Sequence, residues 1–284
     1  MSYTTIDVTP QSAAVGAEIH GIDLAGELSN EQFSEVRQAF HEHGVIFFRD
    51  QNLKPEQHLA FARRFGAVNI NRFFTPVEGH PEIAEVLKEP EQKKNIGAVW
   101  HTDHSYDQIP ALGSALYGKE IPALGGDTLF ASMASAFEAL SDGLKDTLRS
   151  MRAVHSSRHV FGPARYAAEE NPEEISSRYR NADLATQDAV HPVVIHHPDT
   201  GRETLYVNKT FTVRFDGWTA DESRPLLEFL YAHGARPEFS CRFRWRKGSL
   251  ALWDNRATWH VALNDYHGYR RYMHRVTIEG VALS

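Results

Sequence analysis

The sequence predicts a mainly β protein with flanking helices, on a double-sheet core closer to a jelly roll than to a parallel α/β sheet. From about residue 83 the chain falls into short strand-like runs separated by turn residues. Only two helical stretches interrupt those runs, so the regular strand–helix alternation of a parallel sheet is missing. Many short strands with Gly and Pro turns between them suit two packed sheets.

The elements follow in order. VGAEIHGIDL reads as a short strand pair around Gly16 and Gly21. Residues 29–43 open on Ser29 with Glu31 and Gln32 close behind, an N-cap with an acidic first turn. Phe33, Val36 and Phe40 then fall at helical spacing. VIFFRD is a short buried strand, and Pro55 opens a second helix that Gly66 closes. Strand-like runs follow in AEVLKE, AVWHTD, ALGSALYGKE, GDTLFASM, HPVVIHHP, TLYVN, SCRFRWRKGSLALWDN, ATWHVAL and HRVTIEG, interrupted by helices over 134–150 and 220–233. The stretch from Gly162 has an acidic NPEE and little periodicity, and is expected to be a mobile excursion over about 162–190. Without repeats or a linker, the 284 residues read as one domain spanning 1–284.

Composition narrows the function classes. With 30 Lys+Arg against 37 Asp+Glu, the net charge of −7 argues against a nucleic-acid partner. No apolar run approaches the roughly 18–20 residues of a membrane span, which argues against a membrane partner. The N-terminal stretch lacks a basic region followed by an apolar core, so a secretory signal is not expected. A single cysteine, Cys241, cannot form an internal disulfide, and a cytoplasmic setting follows. What stands out is 16 histidines, of which only a few can do chemistry.

The sharpest local feature is Trp100-His101-Thr102-Asp103. On a strand, residues two apart share a face, so His101 and Asp103 would offer an imidazole and a carboxylate to one divalent metal. The triplet alone is a weak signal. A second region runs from Leu252 to His260, with Arg271 eleven residues later and then Arg275. His260, arriving from a distant strand, would complete a 2-His-1-carboxylate triad with open positions, the arrangement of non-haem Fe(II) oxygenases. The same ligands also suit a catalytic zinc for hydrolysis, or a β-barrel binding protein that keeps the fold without turnover.

At WHTD, GGDTLF, LWDNRATWH and RRYMHRVTIEG the chain resembles the taurine dioxygenase family of Fe(II)/2-oxoglutarate-dependent oxygenases, with HSSRHVFG leaning toward its aryloxyalkanoate-cleaving members. The resemblance covers nearly the whole chain and implies a double-stranded β-helix, cupin-like core. It implies that His101, Asp103 and His260 bind Fe(II), with 2-oxoglutarate and O2 as co-substrates. Arg271 matches the arginine that pairs with the distal 2-oxoglutarate carboxylate, and a guanidinium fork suits that carboxylate. Thr128 matches the hydroxyl that supports it. Arg275 matches a position facing the anionic end of the substrate or helping to hold 2-oxoglutarate. The reaction implied is hydroxylation of a small anionic sulfonate, sulfate or aryloxyalkanoate, with succinate and CO2 as co-products. Retention of Asp103 points away from halogenation. Relatives in this family commonly self-associate, so a homo-oligomer is expected.

Departures from the family pattern fall in the substrate loop. Asn71 and Phe74 stand near the positions where taurine-specific members carry His and Tyr, and Gly97 replaces another polar contact. Phe73 and Phe74 are expected to form a larger apolar wall suited to an aryl or longer alkyl group. The remaining histidines, His104 included, read as ordinary polar contacts, and Asp127 as a turn former. Asp254 and Asn255 either orient a neighbouring ligand or stabilise their turn. Trp100, Trp253 and Trp259 read as core, and the Arg242, Arg244, Arg246, Lys247 run as a solvated or interface side.

Overall fold

The computed structural model describes residues 3–167 and 179–284. The expected mobile excursion therefore lies partly outside the described residues. Its described flanks hold short helices at Arg158–Phe161 and Pro163–Ala167, a 3-10 turn at Ala182–Leu184 and a strand at Asp188–Pro192. Among the described residues no helix is long and apolar enough to cross a membrane.

The chain is mainly β with flanking helices. Its largest sheet has nine strands, running in space Asp7–Pro10, Ala17–His20, Val45–Phe48, Leu250–Asp254, Gly113–Glu120, Arg271–Ile278, His80–Lys88 and Pro76–Val77, with Val68–Asn69 paired beside Arg271–Ile278. A smaller sheet is ordered Ser240–Phe243, Thr128–Ser132, Thr258–Ala262. Consecutive strands switch between the two: 113–120 to 128–132, then 240–243 to 250–254 to 258–262 to 271–278.

Side-chain alternation explains why the sheets pack as they do. Along VIFF, Val45 and Phe47 join the cluster between the sheets, while Ile46 and Phe48 join the cluster beneath the N-terminal helices. Leu250 and Leu252 divide from Ala251 and Trp253 in the same way. Between the sheets Phe47 stacks on Phe243, with ring centroids 4.0 Å apart. The other face of the large sheet is covered by helices Asn30–His43 and Pro55–Arg63. The first has the full capping box, Ser29 with Gln32, and ends on Gly44 at φ 70°. Helix Ala220–Gly234 covers the outside of the smaller sheet through Leu227, Leu230 and Trp259.

Three local expectations change. VGAEIHGIDL holds one strand, Ala17–His20, bracketed by left-handed Gly16 and Gly21. The helix expected over 134–150 is two, Met133–Glu138 and Asp142–Arg149, because Ser141 adopts extended backbone and starts a new helix. AVWHTD is no strand: only His101 makes a β-bridge, and the chain then turns at His104, which has φ 60°.

Candidate active site

His260 lies on Thr258–Ala262, within the smaller sheet. A two-way backbone bridge brings His101 to it: His101 N–H donates to His260 O at 3.1 Å and His260 N–H to His101 O at 2.8 Å. The rings stand 4.1 Å apart, and the turn after Thr102 brings Asp103 to both. His101 Nε2 is 3.6 Å from Asp103 Oδ1, and His260 Nε2 is 3.9 Å from Oδ2. All three side chains are buried, with ligand atoms within 4.8 Å of one another, so they could hold a metal ion.

Protonation suits that task. His101 Nδ1 lies 2.7 Å from Val99 O, and a carbonyl only accepts, so Nδ1 donates there and Nε2 is the nitrogen turned toward Asp103. Burial, reinforced by the neighbouring His101, holds the His260 imidazole well below its usual pKa, hence neutral. Burial alone would raise the Asp103 carboxyl. Arg275 and the two histidines outweigh it and hold Asp103 well below the usual carboxylate range. Arg275 Nη1 lies 3.4 Å from Asp103 Oδ2, and Ser114 Oγ donates to the same oxygen at 3.2 Å.

Two cavities, with His101 and Arg275 in the lining of both, meet at this cluster. The inner one, about 40 Å³, is lined by His101, His260, Thr128, Arg271 and Arg275 among others. Arg271 is 4% exposed, and its Nε and Nη2 have no hydrogen-bond partner among the described residues. An unpaired buried guanidinium is costly, so the site fits a carboxylate arriving from outside the chain. Trp245 Nε1 donates to Thr128 Oγ1 at 2.9 Å, which leaves the Thr128 hydroxyl hydrogen free for a second acceptor. Gly126 makes room: a Cβ there would sit 3.2 Å from Arg271 Cδ, in a backbone at φ 71°. The outer cavity, about 260 Å³, is walled by Phe74, Ile96, Tyr106, Val160, Phe161 and Phe211, and reaches His101, Asp103 and Arg275.

The structure thus brings His101, His260, Thr128, Arg271 and Arg275 to the inner cavity and His101, Asp103, Arg275 and Phe74 to the outer one. Asn71 and Phe73 stand behind it. Asn71 Oδ1 accepts the backbone N–H groups of Phe73 and Phe74, which folds the loop and turns only Phe74 to the cavity. Phe73 is fully buried and stacks on Phe161 at 4.5 Å. His104 turns away to Asp107, with Nδ1 2.8 Å from Oδ2. Asp127 pairs with Arg242 at 2.6 Å instead of closing a turn. Sequence reasoning missed Ser114, Gly126 and Trp245, whose roles arise only from contacts between distant strands.

The family model described as taurine catabolism dioxygenase TauD, TfdA family matches residues 7–277. The chain belongs to this family. Its TauD-family relatives include the alkylsulfatase of Acinetobacter baylyi, 35% identical over 269 residues, covering 94% of this chain and 82% of the relative. The alpha-ketoglutarate-dependent sulfate ester dioxygenase of Pseudomonas putida is 31% identical over 276 residues, covering 97% and 90%. The crystal structure of a taurine dioxygenase from Burkholderia xenovorans superimposes with a TM-score of 0.82 at 36% identity, covering 99% of this chain and 93% of that one. This TauD-family chain is a 2-oxoglutarate-dependent dioxygenase, working with Fe(II), 2-oxoglutarate and O2. The buried His-Asp-His cluster and the unpaired Arg271 fit those cofactors.

Proposed function

We propose that His101, Asp103 and His260 hold Fe(II), that Arg271 and Thr128 hold the far carboxylate of 2-oxoglutarate, and that Arg275 faces the anionic end of a small organic substrate. The single observation carrying this reading is that both histidines of the buried triad share one cavity with Arg271, whose Nε and Nη2 have no hydrogen-bond partner among the described residues. Fe(II) with 2-oxoglutarate and O2 supplies the oxidising power: one oxygen atom goes into a substrate C–H bond and the other into succinate, with release of CO2. The chain's own groups bind, orient and exclude water. A hydrolytic zinc reading would leave Arg271 and Thr128 without a task.

Phe74, Tyr106, Phe161 and Phe211 fit an apolar substrate body, aryl or alkyl, beyond Arg275. Sulfate esters stand first among the candidates, since two relatives carry that chemistry in their names. Sulfonates and aryloxyalkanoates share the same anion-plus-apolar form. When the hydroxyl lands on a carbon bearing an ester or ether oxygen, the adduct collapses to a carbonyl compound and releases the sulfate or the aryl alcohol. The proposal includes one domain over 1–284, with the strands that switch between sheets forming a double-stranded β-helix. It also includes self-association and a cytoplasmic setting, the latter supported by Cys241 being free and buried.

The test is succinate release by the Fe(II)-loaded protein with a panel of alkyl sulfates, sulfonates and aryloxyalkanoates. At least one should accelerate succinate formation and yield a carbonyl product. A panel that leaves succinate formation at its substrate-free rate would sink the substrate class.

A further inference from the structure

The turn between Leu250–Asp254 and Thr258–Ala262 is tied to the segment carrying Asp103. Asn255 is 1% exposed and holds that segment from two sides. Its backbone carbonyl accepts Thr102 Oγ1–H at 2.5 Å, and its Oδ1 accepts the Asp103 backbone N–H at 3.4 Å. The same Oδ1 accepts Trp253 Nε1–H at 2.9 Å. Both groups facing Oδ1 are donors, so the amide cannot be flipped without opposing N–H to N–H. The Asn255 backbone N–H is fixed in turn to Leu112 O at 2.9 Å.

The turn itself is locked by charge. Asp254 Oδ1 accepts the Arg256 N–H at 2.9 Å and its Nε–H at 2.8 Å, while Oδ2 accepts Arg256 Nη2–H at 2.7 Å and meets His197 Nε2 at 2.9 Å. All of these groups are buried. On the far side of the turn begins the strand that carries His260. One rigid turn therefore fixes the second histidine through its strand and the carboxylate through Asn255. Asparagine suits the position because it presents an acceptor without placing a second negative charge beside Asp103. Its Nδ2 is buried with no hydrogen-bond partner among the described residues, a cost that a turn former alone would not require.

We propose that Asn255 is a positioning residue for the iron carboxylate. It sets the distance between Asp103 and the two histidines, and so sets metal affinity and coordination geometry. This rests on the metal reading of the triad given above. The partners that orient metal ligands are commonly worth about 10–100-fold in metal affinity.

The experiment is anaerobic titration of the full-length protein with Co(II), read by its visible d–d bands, for wild type, Asn255→Ala and Thr102→Val. Thermal unfolding of each metal-free protein is followed in parallel. The expected result is Co(II) binding weakened about 10–100-fold in Asn255→Ala and less in Thr102→Val, with an altered band shape in both. Loss of metal-free stability with unchanged Co(II) affinity and spectrum would overturn the proposal, leaving Asn255 a turn former. If Asn255→Ala does not fold, Thr102→Val decides alone, since Val keeps the volume of Thr and removes only the tether. Failure of the wild type to bind Co(II) would instead overturn the metal reading itself.

Discussion

Arg275 Nη1 lies 3.4 Å from Asp103 Oδ2, and the guanidinium carbon of Arg275 sits 4.3 Å over the ring of Phe74. One buried cation thus joins a proposed metal ligand to the wall of the outer cavity. Its Nε has no hydrogen-bond partner among the described residues, so a donor remains for an incoming anion. Arg275→Ala should raise the KM for an anionic substrate about 10–100-fold, the range expected for a lost charge-assisted hydrogen bond of roughly 1.5–3 kcal/mol. Initial rates of succinate release measure this. An unchanged KM would remove Arg275 from substrate recognition.

Arg271 makes a separable prediction. It touches none of His101, Asp103 or His260 by hydrogen bond, so Arg271→Ala should keep metal affinity while raising the 2-oxoglutarate requirement at least 10-fold. Gly126→Ala should act in the same direction, more weakly, because its Cβ would press on Arg271 Cδ and Nε at 3.2 and 3.3 Å. Calorimetric titration of the Mn(II)-loaded protein with 2-oxoglutarate reads both effects. Equal affinities in Arg271→Ala and wild type would refute the assignment.

Metal binding should also appear as stability. A ligand at 100 times its Kd stabilises the native state by about 2.7 kcal/mol, which is on the order of 5 °C in Tm for a chain of this size. Excess Mn(II) under anaerobic conditions should raise the Tm of the wild type by that amount. It should leave His101→Ala or Asp103→Ala near their metal-free values. A metal-induced rise of equal size in those variants would place the ion elsewhere.

How much of this was legible in the sequence depends on the range of the interactions. The Ser29 N-cap and the short buried strand at VIFF are set by neighbours within four residues, and both are legible directly; the division of that strand between two cores depends on the layers packed on either face. His101 and Asp103 were paired for the wrong local reason. They converge through a bridge to a residue 159 positions away and a turn at His104, not through strand alternation. Phe73 and Phe74 could not be told apart, because Asn71 decides which ring faces the cavity by the way it folds the loop. Ser114, Gly126 and Trp245 carry no local signature at all. Their contacts are created by strand pairing between distant segments.

Acid should destabilise the fold through its buried histidines. His58 sits in the Pro55–Arg63 helix at 1% exposure, with Nε2 3.1 Å from Ala115 O, so Nε2 carries the proton and donates. Burial, aided by His274, lowers its pKa from 6.5 to about 3. The native state therefore keeps His58 neutral, while the unfolded chain takes up a proton below pH 6.5. Its contribution is fully present above pH 6.5 and is lost as pH falls toward 3, at up to about 1.4 kcal/mol per pH unit. His155, also held well below its usual value by burial, acts with the same sign. The Tm of the metal-free protein should fall steadily from pH 7 to pH 5. In His58→Gln, where an amide can still donate to Ala115 O, the protein should be less stable at pH 7.5 but show a shallower decline. A decline as steep as that of the wild type would show that His58 is not a source of the acid sensitivity.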